Sequence, residues 1–196
     1  MSREIKQRSS FELTMRRLIA DRAGLVALAF LVVLIVIAVG ADAIAALTGH
    51  SSAEPPGLPV PPNAEFVFGT DQLGRDVFVR LAYGARISLS IGFVASLLAA
   101  IIGITVGLVA GYFGGWIDAV LGRAMDLVMS IPVLLCMLSL VAVFGPSLTL
   151  SLAVIVFFSW TTMGRVIRGQ VLSLKEREFV MASRSMGAGH LSIMVI

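Results

Sequence analysis

Charge disappears from this chain in long blocks, and those blocks set its architecture. The nineteen residues from Ala23 to Ala41 carry none. As a helix rising about 1.5 Å per residue they approach the roughly 30 Å of a hydrocarbon core, which predicts a first spanning helix over 23–46. Ile87 to Ile117 is free of charge for 31 residues. That exceeds one upright crossing, so Gly111-Tyr-Phe-Gly-Gly115 predicts a turn closing a second span over 87–112. Leu127 to Gly164 lacks charge for 38 residues. One helix of that length would measure about 57 Å, too long for a single crossing. Gly145-Pro146 is the natural break, giving spans over 116–144 and 147–167. Pro132 should kink the first of these, and Ser130-Ile-Pro is a candidate bend lining a path. The pattern predicts an all-α, polytopic transmembrane helix bundle with four spanning helices in residues 1–196.

The polar segments lie between these blocks. Residues 1–22 hold six Lys or Arg against three acids, with Phe11, Met15, Leu18 and Ile19 spaced as one face of a short surface helix. Residues 47–86 form a loop with five of the seven prolines between Pro55 and Pro62, a density that rules out helix there. Helical spacing returns from Asp76, with Val77, Phe78 and Leu81 on one side. Residues 168–190 are a second polar loop, and 191–196 begin a further helix.

Composition agrees with the pattern: 58% of residues are hydrophobic and 14% charged, against about a quarter charged in soluble domains. The net charge of +3 is not a nucleic-acid signature, because the basic residues flank apolar runs and no basic patch interleaved with aromatics occurs. It has a topological meaning instead. Four alternating spans put 1–22, the turn near residue 114 and everything after Arg165 on one side. The first and last of these carry most of the Lys and Arg, whereas 43–86 has Arg75, Arg80 and Arg86 alone. The positive-inside rule makes that side, and the N-terminus, cytoplasmic. The basic N-terminus precedes an apolar run too long for a signal peptide and is taken as retained.

Few residues suggest chemistry. Cys136, the single cysteine, lies in an apolar run and reads as a small buried hydrophobe; His50 and His190 have no metal-ligand spacing to other ligands and read as surface residues. No metal site and no catalytic group is expected. Ser88, Ser90, Asp126 and Cys136 form no nucleophile–base arrangement. Arg123 and Asp126, three apart at a helix entry, predict an anchoring salt bridge rather than a proton relay. Ala95, Ala99, Gly103, Gly107 and Gly111 recur every four residues, a ridge that admits another helix to backbone contact; packing within this chain is preferred over contact with a second subunit.

The most informative stretch is Lys175 to Gly187. Without Gly or Pro before Gly187, it permits three helical turns from Lys175 to Met186. Phe179, Ala182, Ser183 and Met186 share one side, a small-residue seam with one large anchor, while Glu176, Arg177, Glu178 and Arg184 decorate the rest. Periodicity alone fits equally a helix docking in a partner's groove and an amphipathic linker on the membrane surface.

Met181-Ala-Ser-Arg-Ser-Met-Gly187 resembles the EAA loop of bacterial ABC-transporter permeases, Glu-Ala-Ala, three residues, Gly and, further on, Ile-x-Leu-Pro. Val171-Leu-Ser-Leu-Lys-Glu-Arg-Glu-Phe-Val180 resembles the dipeptide/oligopeptide/nickel branch. So does Phe68-Gly-Thr-Asp-Gln-Leu-Gly-Arg-Asp76 followed by Tyr83-Gly-Ala-Arg86. Met181 stands where the motif has Glu, so no ion pair follows there. The Ile-x-Leu-Pro string, and the last two of the six spans the family pattern implies, would fall beyond Ile196.

The resemblance implies a type I importer permease in the bacterial cytoplasmic (inner) membrane. Glu178, Phe179, Met181, Ala182, Ser183, Arg184, Met186 and Gly187 would form the coupling helix that docks on an ATPase, Phe179 as anchor and Gly187 as the required break. Gly69, Thr70, Asp71, Gly74, Arg75 and Asp76 would be an external signature loop, either solvated or in contact with a delivery protein. The implied partners are a second homologous permease, two cytoplasmic ATPases and an external substrate-binding protein. The chain has no glycine-rich loop ending Gly-Lys-Ser/Thr. No cofactor is expected on it, and ATP with Mg²⁺ would sit on the ATPases. The implied cargo is di- and oligopeptides, with nickel or other small solutes as the alternative. The rival from another class is a non-transporting regulatory or remnant protein that keeps the docking helix.

Overall fold

The computed structural model describes residues 21–52 and 57–195. The amphipathic segment expected over 1–22 lies, but for its last two residues, outside them. Among the described residues there are eight helices: α1 Arg22–Val39, α2 Ala41–Thr48, α3 Val77–Phe113, α4 Gly115–Ser130, α5 Val133–Phe144, α6 Leu148–Leu174, α7 Glu178–Ser185 and α8 His190–Val195. Extended pairing among them is confined to an isolated bridge between Thr70 and Asp76. Helices α1, α3 and α6 are each long and apolar enough to cross a membrane, and α4 with α5 counts as a fourth crossing if that bent pair is one span. The fold is all-α and polytopic.

The chain divides into two compact units, one through Ser90 and one from Ile91. In the first, Asp21 caps α1 by accepting from the Ala23 N–H at 3.0 Å. The span expected over 23–46 is interrupted at Gly40, where α2 starts. Arg86 closes the corner: its Nε donates to the Ala38 carbonyl at 2.8 Å and its Nη2 to the Val39 carbonyl at 3.0 Å. These are orphan carbonyls at the end of α1, where a cation is favoured by the helix dipole. Arg86 also holds Asp42 at 3.0 Å, and the Tyr83 hydroxyl donates to the same carboxylate at 2.7 Å. Those two donors, Arg86 first, keep the Asp42 carboxyl below its ordinary range.

In the second unit the small-residue ridge is buried against α6. A Cβ on Gly103 would stand 2.7 Å from the Met163 Cβ and the Trp160 carbonyl, and one on Gly111 would stand 2.8 Å from the Val171 Cβ. Ala95 and Ala99 are buried as well. Close backbone approach of this kind is how helices associate where no water drives burial. Helices α4 and α5 both pack along α6. The kink expected in a span over 116–144 is a full break of 70°. Pro132 has no N–H to give, and its ring pushes Ile131 into extended backbone, φ −84° and ψ 123°. After Gly145-Pro146, Ser147 caps α6 by accepting from the Leu150 N–H at 3.0 Å. Two helices outrun the spans expected from charge. α3 begins at Val77 instead of residue 87, and α6 continues to Leu174 instead of 167.

The salt bridge expected between Arg123 and Asp126 is not formed. Asp126 accepts instead from Arg165 at 2.7 Å, and Asp118 takes a bidentate grip from Arg168, whose Nη2 donates at 2.8 Å. Proximity in sequence favoured the intrahelical pair; the packing of α4 on α6 presents the α6 arginines in better geometry.

Candidate functional site

The polar stretch after α6 builds a short helix on a turn. Helix α6 ends at Leu174, Lys175 to Arg177 make a turn, and α7 covers Glu178–Ser185. The three-turn helix expected from Lys175 is thus shortened at its start, because Arg177 adopts extended backbone, ψ 146°, as the N-cap. Lys175 is drawn away from α7 altogether: its Nζ donates to the Gly111 carbonyl at 3.0 Å, capping the last turn of α3. Ser183 returns its hydroxyl to the Phe179 carbonyl at 2.9 Å.

Of the seam read from the sequence, Phe179, Ala182 and Met186 are exposed and Ser183 is half-buried. Phe179 is 55% exposed, Met186 81% exposed, and Met181 and Ala182 are exposed too. The inward anchor is Val180, 9% exposed, which periodicity had not singled out. It lines, with one edge of Phe179, a cavity of about 260 Å³ that Leu108, Tyr112, Val171 and Ile193 also border. Gly187 ends the segment with φ 82°, the left-handed conformation that a side chain disfavours, and the chain turns back into α8. Glu178 and Arg184 lie in the first and last turns of α7, where their charges suit the helix dipole.

The signature loop forms a second cluster, in the unit that ends at Ser90. Asp71 accepts from the backbone N–H groups of Leu73 (2.9 Å) and Arg75 (3.0 Å) and from the Arg75 guanidinium (2.9 Å). The Arg75 N–H, followed by its guanidinium and the Leu73 N–H, lowers the Asp71 carboxyl to about 2. Asp76 is 1% exposed and caps α3, accepting from the N–H of Phe78 at 2.8 Å and of Val79 at 3.3 Å. Its other oxygen is 2.8 Å from Nδ1 of His50. His50 is therefore largely buried, contrary to the surface position expected; its ring stacks on Phe66 at 4.5 Å and its Nε2 faces Glu65 at 3.8 Å. Thr70 pins the proline-rich strand of the loop, accepting from the Val60 N–H at 2.7 Å. Gly74 packs so closely that a Cβ there would stand 2.4 Å from the Gly57 Cα. The loop is a built structure and not a solvated tether.

Among the described residues, no group of three His, Cys, Asp or Glu side chains is placed to hold a metal. Every buried side-chain polar atom among them has a partner.

Residues 103–196 match the family described as binding-protein-dependent transport system inner membrane component. The same residues contain Gly103, Gly107 and Gly111, α6 and the segment from Glu178 to Gly187. The chain is 40% identical over 126 residues to the dipeptide transport system permease protein DppC of Alkalihalophilus pseudofirmus, covering 64% of this chain and 41% of that protein. The oligopeptide transport system permease protein OppC of Bacillus subtilis is 35% identical over 183 residues, 93% of this chain and 60% of that protein. The glutathione transport system permease protein GsiD of Escherichia coli is 34% identical over 180 residues, 92% of this chain and 59% of that protein. The chain thus spans between about two-fifths and three-fifths of the length of these relatives.

The predicted residues fall into three places. The ridge from Ala95 to Gly111 and the segment from Glu178 to Gly187 lie in the unit that starts at Ile91, joined through Lys175 and Val180; Gly69 to Asp76 lie in the other unit. His190, expected at the surface, is exposed, but its Nδ1 lies 2.8 Å from the Tyr112 hydroxyl.

Proposed function

We propose that this permease works in an ATP-driven importer that moves di- and oligopeptides across the cytoplasmic membrane, with α7 as the helix that docks on a cytoplasmic ATPase. The observation that carries this reading is the division of labour on α7. Val180 roots the helix in the membrane-embedded helices while Phe179, Met181 and Met186 stand exposed beside it. A helix needing only to lie flat on its own protein would bury its largest side chain; this one buries a valine and presents a phenylalanine.

The mechanism follows from that geometry. ATP binding closes two partner ATPases, their grooves carry α7 with them, and α6 and α3, rooted to α7 through Val180 and Lys175, change which side the path faces. ATP and Mg²⁺ belong to the ATPases. A second, similar permease and an external substrate-binding protein complete the assembly, with the loop of Gly69 to Asp76 facing the latter. The N-terminus is cytoplasmic, in keeping with the basic residues of 1–22 and after Arg165. Peptide cargo is supported by the similarity to dipeptide and oligopeptide transport system permease proteins.

The test is ATPase activity and peptide uptake in membranes carrying Phe179→Ala or Gly187→Leu. Both variants should lose stimulated hydrolysis and co-purifying ATPase. Unchanged coupling in both would overturn the docking reading.

A further inference from the structure

Tyr112 occupies the last turn of α3 and is 8% exposed, yet it touches both helices that follow α6. Its hydroxyl is 2.8 Å from Nδ1 of His190, the first residue of α8, and the two rings meet edge to face at 5.6 Å. Its ring also lies 5.9 Å from the Arg184 guanidinium in the last turn of α7. The turn at Gly187 brings α8 back so that both contacts converge on one tyrosine. Without that convergence, α7 would hang between the turn at Lys175 and the glycines at 187 and 189, held inward by Val180. Val180 and the turn at Lys175 hold the start of α7, and the contacts to Tyr112 are what hold its end.

We propose that Tyr112 and His190, with Arg184, form a latch that ties the docking helix to the end of α3, so that displacement of α7 is delivered to that spanning helix. Tyr112 and His190 are positioning residues: they touch no nucleotide and no cargo, and they act through α7. The inference rests on the reading of α7 as the ATPase-docking element and adds where its movement goes. The bond exists in either imidazole tautomer, since a hydroxyl donates to an unprotonated Nδ1 and accepts from a protonated one. Tyr112→Phe removes the bond and keeps the buried ring. His190→Ala removes it from an exposed position, where truncation leaves the core intact. His190→Asn keeps a polar atom near the place of Nδ1.

The experiment uses the full permease assembled with its partner subunits, purified in nanodiscs, without nucleotide and trapped with ATP, Mg²⁺ and vanadate. Backbone hydrogen exchange is read separately in α7 and in the last two turns of α3. In the native protein both segments should respond to trapping. In Tyr112→Phe and His190→Ala the response of α7 should persist while that of α3 shrinks roughly two- to tenfold, the equivalent of one net hydrogen bond. His190→Asn should recover part of it. An α3 response equal to the native one in both variants overturns the latch and leaves the docking reading standing. If α7 itself fails to respond in the native assembly, the docking reading falls and the latch falls with it.

Discussion

Gly107 of α3 and Gly164 of α6 share a space that no side chain can enter: a Cβ on Gly107 would stand 2.4 Å from the Gly164 carbonyl oxygen. The contact is backbone against backbone, and the obstacle is a carbonyl that cannot swing aside as a side chain would. Gly107→Ala should therefore force the two helices apart, costing about 1–3 kcal/mol by overpacking. Thermal unfolding in detergent or nanodiscs should show a clear fall in Tm. Gly122→Ala is the control. A Cβ there meets nothing within 4 Å, so its Tm should hold or rise slightly.

Asp76 does two jobs with one buried carboxylate. It caps α3 through Phe78 and Val79 and anchors His50, which is stacked on Phe66. Asp76→Ala should lose the cap, worth about 1 kcal/mol, and leave the half-buried imidazole without its carboxylate. His50→Ala should cost less, because the cap survives. A double-mutant cycle read by thermal unfolding should give a coupling of roughly 0.5–3 kcal/mol between the two. Strict additivity would mean that the 2.8 Å contact contributes nothing.

How much of this was legible in the chain depended on the range of the interaction. The four-residue recurrence from Ala95 to Gly111 is a local signal, and it marks the face that meets α6. Pro132 likewise acts on its immediate neighbour, so the break before α5 was readable, although its 70° was not. Arg86 with Asp42 and Arg168 with Asp118 join residues 44 and 50 apart. Nothing in periodicity ranks such a partner above Asp126 for Arg123. Within Glu178 to Gly187, the sequence distinguished a large side chain from small ones but not the inner face from the outer. Phe179 and Val180 are adjacent and both apolar, and only the position of α3 and α6 decides that the valine goes in. The start of α7 was illegible for a related reason: it is set by the extended backbone of Arg177, a residue type that does not break helices.

The loop around Asp71 should loosen in acid. Its carboxyl, lowered to about 2 by the Arg75 backbone N–H first and the Arg75 side chain after it, has a folded value below the ordinary carboxylate value of about 4. A depressed folded value stabilises the loop fully above pH about 4, and that stabilisation is lost as pH falls from about 4 toward 2. Hydrogen exchange of the amides of Leu73 and Arg75 should accelerate across that window beyond the intrinsic pH effect. In Asp71→Asn the acid-dependent step should vanish, with exchange already fast at neutral pH.

Two ion pairs join α4 to α6, and they should differ in worth. Arg168 grips Asp118 with two donors, and the two side chains are 32% and 19% exposed; Arg165 meets Asp126 through one, at 49% and 57% exposed. Exposed pairs lose most of their Coulomb energy to water and contribute about 0–1 kcal/mol. A bidentate pair with a more buried carboxylate is better oriented, and removing one partner strands the other in a poorer solvent, at a cost of about 1–3 kcal/mol. Asp118→Asn should therefore lower Tm substantially, and Asp126→Asn little. Arg168→Lys should behave like Asp118→Asn, because an ammonium supplies a point charge where the geometry requires a fork. If Asp118→Asn and Asp126→Asn shift Tm equally, the difference in exposure and geometry between the pairs carries no energetic weight, and α4 is held on α6 by its apolar contacts alone.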